Sequence, residues 1–132
     1  MSTPQIQLIN PPSLPTVPGY SQVVTVSGGD LVFIAGQVSL DASGALVGAG
    51  DFAAQAAQTF RNVIAALEAA GASATNVIKL TTFVTDMSQL ATFRTVRDQF
   101  LDPARLPAST LVQVSRLFRQ EFLIEVEAIA VR

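Results

Sequence analysis

The spacing of apolar residues divides this chain into strands and two helices. Short runs rich in β-branched residues predict strands at about 21–26, 31–40, 77–85, 109–115 and 122–131. Apolar residues at steps of three and four predict amphipathic helices at 52–70 and 88–101. This order predicts an α+β fold in which the two helices cover one face of a mixed or antiparallel sheet.

Local residues mark several element boundaries. Asp51 is placed to cap the first helix and Gly71 to end it, while Asp86 is a capping residue before the second helix. The sequence Ser-Gly-Gly-Asp at 27–30 predicts a hairpin turn between the first two strands. Residues 1–18 hold five of the seven prolines. We therefore expect a single domain that begins with an extended arm.

The last predicted strand carries an informative polarity pattern. Because side chains alternate along a strand, one face is wholly apolar and the other carries Leu123, Glu125, Glu127, Ile129 and Val131. The two glutamates lie about 7 Å apart by strand rise. A solvated face is the simple interpretation, but it leaves three apolar side chains in water. The alternative is that this face packs on another subunit and places a glutamate in a partly buried cleft, where it can act as an acid or base.

Composition narrows the possible chemistry. The 132 residues include no Cys and no His, which excludes a disulfide, a thiolate nucleophile and a Ser-His-Asp triad. Hydrophobic residues make up 49% and charged residues only 14%, so part of the apolar surface is expected to lie between subunits.

Charge and hydropathy limit the kinds of partner that this protein is expected to bind. The net charge is −2 and the eight Lys and Arg residues are scattered, so nucleic acid is not an expected partner. No apolar stretch approaches the ~18 residues of a membrane span. We expect a cytoplasmic protein without a membrane contact.

Six segments carry a resemblance to a known family. They are residues 19–21 (GYS), 35–38 (AGQV), 55–71 (QAAQTFRNV and LEAAG), 77–86 (VIKLTTFVTD), 107–117 (PA and LVQVSRL) and 124–132 (IEVEAIAVR). In this order and spacing they resemble the Rid/YjgF family of reactive-intermediate deaminases, also labelled endoribonuclease L-PSP. The resemblance runs from about residue 17 to the C-terminus.

The resemblance implies a chorismate-mutase-like α+β fold and a barrel-shaped homotrimer. It also implies that a small-molecule ligand binds in clefts between neighbouring subunits, and that no metal or organic cofactor is needed. Active deaminases of this family hydrolyse an imine or enamine to a keto acid and ammonia. We therefore expect a hydrolase that acts on C=N bonds.

Individual cleft positions follow from the same resemblance. Glu125 matches the glutamate that orients or activates water, and Tyr20 and Gly36 match other cleft positions. Ser109 stands where the deaminases have an arginine that clamps the substrate carboxylate. A hydroxyl supplies neither the charge nor the two-point contact, which argues against ordinary 2-imino-acid deaminase activity. Leu111 makes the cleft more apolar than is common in the family.

By the same resemblance, Arg94 stands where many family members have Asn, at a position expected near the cleft rim. One hypothesis is that Arg94 meets an anionic ligand from a different direction. The alternative is an ordinary solvated arginine on the helix, which at the i+4 spacing is close enough to Asp98 for a surface pair. Arg105 is expected on the surface, although it could turn inward.

Three functions stay open from the sequence. They are a divergent imine or enamine hydrolase, a non-catalytic small-molecule binder, and an endoribonuclease or translation inhibitor. The pI of about 4.9 argues against the third.

Overall fold

The fold consists of six strands and two α-helices within residues 3–132, the part of the chain that the structure, a computed structural model, describes. The strands are β1 (Gln5–Ile9), β2 (Val23–Ser27), β3 (Leu31–Gln37), β4 (Val77–Val84), β5 (Ala108–Gln113) and β6 (Ile124–Val131). The helices are α1 (Phe52–Ala69) and α2 (Leu90–Arg97). Short 3-10 turns at Ala74–Asn76 and Met87–Gln89 precede β4 and α2. The predicted α+β class is confirmed.

Strands β3 to β6 form one mixed sheet with the order β3-β6-β4-β5. Strand β6 runs antiparallel to both β3 and β4, whereas β4 pairs in parallel with β5. Parallel neighbours need a crossover connection, and α2 lies in the connection between β4 and β5. Strands β3 and β5 are therefore the two edges of this sheet.

Both helices pack on one face of the mixed sheet, as predicted. The core side of β6 is formed by Ile124, Val126, Ala128 and Ala130, each at most 2% exposed. The apolar stripe of α1 meets it through Ala56, Phe60, Val63 and Leu67, which are buried to the same degree.

The opposite face of the mixed sheet, which we call the open face, carries the alternate residues of each strand. Its members include Leu31, Phe33, Lys79, Thr81, Phe83, Thr110, Val112, Glu125, Glu127 and Ile129. Phe33 is 71% exposed and Leu31 is 60% exposed. Large apolar side chains therefore lie in water at the β3 edge of a single chain.

Strands β1 and β2 form a separate antiparallel pair. The pattern of apolar residues did not predict β1, which lies inside the expected N-terminal arm. Residues 1 and 2 of that arm lie outside the described residues. The hairpin predicted between β2 and β3 is wrong, because β2 pairs with β1 and β3 pairs with β6. Gly28 and Gly29 do turn the chain with φ of 77° each. Asp30 then exchanges backbone hydrogen bonds with Arg132 at 2.8 and 3.0 Å, which aligns β3 with β6.

The predicted cap of α1 is confirmed, whereas Asp86 caps the 3-10 turn Met87–Gln89 and not α2 itself. The Asp51 carboxylate accepts a backbone hydrogen bond of 3.1 Å in the first turn of α1, and Gly71 follows the helix with φ of 74°. Asp86 accepts from the Ser88 N–H at 2.9 Å. Helix α2 is shorter than the predicted 88–101, because 3-10 and irregular turns flank it. Within residues 3–132, neither helix has the length and apolar character that crossing a bilayer requires.

Candidate functional site

A pocket of about 360 Å³ opens at the β5 edge of the sheet, on the side covered by α2. We call it the α2–β5 pocket. Four of the residues predicted to bind a ligand line it, namely Tyr20, Arg94, Ser109 and Leu111. Its size lies within the usual range for small-molecule sites.

The register of β5 explains why two of these side chains point into the pocket. Ser109 pairs with Leu80 of β4, and Leu111 pairs with Thr82. Leu80 is 1% exposed and Thr82 is fully buried on the helix side of the sheet. Residues paired across neighbouring strands share a face, so Ser109 and Leu111 also face α2.

The segment that carries Tyr20 is tethered on both sides of this residue. The Ser21 hydroxyl donates to the Leu106 carbonyl at 2.6 Å, and the Ser21 N–H donates to the Pro107 carbonyl at 3.1 Å. On the other side, Arg97 Nη1 donates to the Gly19 carbonyl at 2.8 Å. These contacts hold Tyr20 between the start of β5 and helix α2.

The arginines of α2 have different surroundings. Arg97 is 5% exposed, lies over the Phe93 ring at 5.8 Å, and contacts Asp98 Oδ1 through Nε and Nη2, both at 3.0 Å. The alternative of an Arg94–Asp98 surface pair is therefore not what the structure shows. Within residues 3–132, the Arg94 guanidinium forms no hydrogen bond or ion pair. It is the uncompensated positive charge of the α2–β5 pocket.

Arg97 was not singled out from the sequence, although a signal was present. It continues the apolar stripe of α2, four residues after Phe93 and three before Phe100. A charged residue on an apolar stripe must find partners when the stripe is buried. Those partners, Gly19 and Asp98, were not predictable from the stripe alone.

Glu125 and Gly36 lie together, but away from the α2–β5 pocket. Glu125 pairs with Phe83 of β4 and lies half-buried on the open face. A Cβ at Gly36 would lie 2.5 Å from Glu125 Oε2, so only glycine allows the carboxylate to lie against this strand. The pairing of β3 with β6 is irregular at this point. A single chain therefore separates the six predicted site residues into two groups on opposite faces of the sheet.

Other ionisable groups do not add to the pocket. Arg105 is exposed, as expected, and lines a different cavity of about 150 Å³ with Phe100 and Pro107. No three acidic side chains in residues 3–132 converge as metal ligands would.

This chain is a small α+β domain with two helices on a mixed sheet and a pocket at the β5 edge. Comparison with known proteins identifies its family. A family model described as endoribonuclease L-PSP matches residues 12–132. The chain is 40% identical over 111 residues to a RutC family protein of Pyrococcus horikoshii, covering 84% of this chain and 85% of that protein. It is 40% identical over 106 residues to the 2-iminobutanoate/2-iminopropanoate deaminase of Salmonella typhimurium, covering 79% and 81%.

A solved structure agrees with these relatives. The Rid-family protein YyfB from Yersinia pestis, described as of unknown function, superposes with a TM-score of 0.89 at 36% identity, covering 96% of this chain and 98% of that one. The chain therefore belongs to the Rid/YjgF family, as its sequence indicated.

Proposed function

We propose that this protein is a divergent imine or enamine hydrolase that works as a homotrimer. In this proposal Glu125 of one subunit faces the α2–β5 pocket of its neighbour. The supporting observation is that Tyr20, Arg94, Ser109 and Leu111 line one pocket while Glu125 lies on the other face of the same sheet. One chain separates the two groups, whereas two adjacent copies can join them.

The exposed apolar residues of the sheet support an assembly of copies. Leu31 and Phe33 are 60% and 71% exposed at the β3 edge, and Val112 is 40% exposed at the β5 edge. Exposed apolar patches often mark protein interfaces. A contact between two different edges is heterologous, and heterologous contacts close into rings when the rotation allows. A ring of three agrees with the trimer expected from the family resemblance.

The proposed reaction needs one carboxylate and one water. Glu125 accepts a proton from water as the oxygen adds to the carbon of the C=N bond. The protonated carboxyl group returns this proton to nitrogen, which gives a carbinolamine. Glu125 then takes the O–H proton of the carbinolamine and delivers it to nitrogen as the C–N bond breaks, so that a carbonyl compound and ammonia leave. Such general acid–base catalysis contributes about 10² to 10⁴ in rate.

The pocket favours a small anion with an apolar body. Ser109 cannot provide a charged clamp, but the unpaired Arg94 guanidinium lines the same pocket. A guanidinium suits a carboxylate because it can donate two parallel hydrogen bonds. Leu90, Phe93 and Leu111 supply the apolar wall. We propose that the substrate's anionic group binds Arg94 on the α2 side.

The test is release of ammonia and a carbonyl product from imines made in situ by an amino-acid oxidase, an amine oxidase or a dehydratase, including imines without a carboxylate. Glu125→Gln should lose about 10² to 10⁴ of the rate. Glu127→Gln is the matched control, since Glu127 lies on the same strand and face, two residues away. No acceleration by the wild-type protein over the whole panel, or full activity of Glu125→Gln, would reject the proposal.

A non-catalytic binding trimer is the second candidate, and Ser109 is the observation that favours it. A non-catalytic binder is expected to lack the clamp arginine and to keep the pocket, as this chain does. Stabilisation by a carboxylate ligand without any turnover would support this candidate.

Endoribonuclease activity finds less support. The net charge is −2, and a pocket with one free guanidinium is not the basic groove that tracks a nucleic acid strand. RNA cleavage that persists through purification and is lost in Glu125→Ala would favour it instead.

A further inference from the structure

We infer that Arg97 is a positioning residue that holds Tyr20 at the wall of the α2–β5 pocket. Its consequence for ligand binding rests on the proposed function. The contact itself lies within one chain and can be tested without a ligand.

The guanidinium of Arg97 contacts three partners, namely a backbone carbonyl, a carboxylate and an aromatic ring. Nη1 donates to the Gly19 carbonyl at 2.8 Å, while Nε and Nη2 contact Asp98 Oδ1 at 3.0 Å each. The Phe93 ring lies against it, with 5.8 Å from Cζ to the ring centroid. The planar fork of arginine fits this arrangement, and a lysine ammonium could not reproduce it.

The hydrogen bond from Arg97 to the Gly19 carbonyl is one of two tethers around Tyr20. The Ser21 tether joins the segment to the residues just before β5. Among residues 3–132, Arg97 provides the hydrogen bond that joins Gly19 to α2. With both tethers, Tyr20 is fixed relative to both walls of the pocket; without Arg97, only the β5 side remains held.

The backbone at Gly19 lies close to Arg94 as well as to Arg97. Gly19 has φ of 90°, and a Cβ there would lie 3.2 Å from Arg94 Nε and 3.5 Å from Arg97 Nη1. The backbone thus lies directly against both guanidinium groups. Because Asp98 compensates the charge of Arg97, Arg97 acts on the pocket through geometry, and Arg94 supplies its free charge.

Tyr20 provides its own probe, because the chain has one tyrosine and no tryptophan. Protein labelled with 3-fluorotyrosine should give a single ¹⁹F resonance from Tyr20. We expect Arg97→Gln to shift or broaden this resonance and to increase acrylamide quenching of tyrosine fluorescence. Arg97→Lys should have a smaller but measurable effect. Arg61→Gln, at an exposed position on α1, is the control and should match wild type.

The ligand-free experiment decides the inference. A folded Arg97→Gln protein whose Tyr20 resonance and quenching match wild type would overturn it. If Arg97→Gln does not fold, Arg97→Lys decides in its place, since a lysine cannot keep both the Gly19 and Asp98 contacts. An unchanged resonance in Arg97→Lys would then overturn it.

A binding experiment separates positioning from general stability. 2-Oxobutanoate, the keto acid that 2-iminobutanoate would yield, is titrated calorimetrically into wild type, Arg97→Gln, Tyr20→Phe and the double variant. We expect Arg97→Gln to weaken binding by about 10- to 100-fold, and the two changes to be non-additive because they act on one group. Fully additive losses would contradict the coupling. Absence of wild-type binding would count against the proposed function, whereas the fluorine result would still decide the role of Arg97.

Discussion

Replacing Gly36 by alanine should disable Glu125 without removing a functional group. A Cβ at position 36 would lie 2.5 Å from Glu125 Oε2 and 2.9 Å from its Cδ. These atoms belong to the end of a flexible side chain, so the carboxylate can move aside while the backbone stays in place. The substitution therefore changes where the carboxylate lies rather than whether it is present.

The cost in stability should be small, and the cost in rate should be large. Alanine in place of glycine stabilises by about 0.4–1 kcal/mol where the backbone conformation suits it, and Gly36 is not among the glycines with positive φ. Forcing Glu125 into another rotamer costs about 0.5–1.5 kcal/mol. The two effects nearly cancel, so Tm should change by less than about 5 °C. In the proposed mechanism, a displaced carboxylate would lose its general-base contribution, about 10² to 10⁴ in kcat.

The assay measures kcat for ammonia release together with Tm for wild type, Gly36→Ala and Glu125→Gln. Gly36→Ala should approach the low rate of Glu125→Gln while keeping nearly wild-type Tm. Wild-type kcat in a folded Gly36→Ala protein would refute the assignment of Glu125 as the catalytic base.

Three further predictions follow from single residues. Phe33→Asp should place a charge in the exposed apolar edge and reduce the mass by light scattering from three copies to one copy of 13.9 kDa; a trimeric Phe33→Asp protein would contradict the proposed interface. Thr82→Val should raise the free energy of unfolding in urea by about 1–2 kcal/mol, because the fully buried Thr82 Oγ1 finds no hydrogen-bond partner among residues 3–132; a loss of stability would show that the hydroxyl is satisfied. The Ser88 hydroxyl and N–H lower the pKa of Asp86 below its ordinary 3.8. The stability that Asp86 contributes is therefore complete above this unfolded pKa and is lost as pH falls through the lower folded pKa. The Tm difference between wild type and Asp86→Asn should therefore shrink in acid, and an NMR titration midpoint at or above 3.8 would show that the Ser88 hydrogen bonds do not stabilise the carboxylate.

The elements with strong periodic patterns were predictable from the sequence. Helix α1 and strand β6 both bury a regular set of apolar residues, so spacing alone identified them and the face that each presents to the core. Strand β1 was missed because QIQLI is short and lies between prolines, which favoured an extended arm. The pairing of β2 with β1 was also missed, because strand partners depend on distant segments and a turn sequence does not identify them.

The site was predictable only in part. The family resemblance identified Tyr20, Ser109 and Leu111 as site positions. Arg94 was singled out because it replaces the Asn of many family members, and it lines the same pocket. Arg97 escaped because its role depends on a carbonyl 78 positions earlier in the chain. The alternation along the last strand placed Glu125 on the face away from the helices, but sequence could not show that Ser109 and Leu111 face α2, since that depends on the register of β5 against β4.

Subunit complementation tests most directly whether each site is shared by two neighbouring copies. Glu125→Gln and Arg94→Gln proteins, each of which the proposal expects to have low activity, are mixed in equal amounts, dissociated and reassembled. If the pocket and Glu125 come from different subunits, about a quarter of the clefts regain both native residues by random assembly, and about a quarter of wild-type activity should return. Activity that stays at the level of the separate variants after confirmed subunit exchange would contradict the shared site.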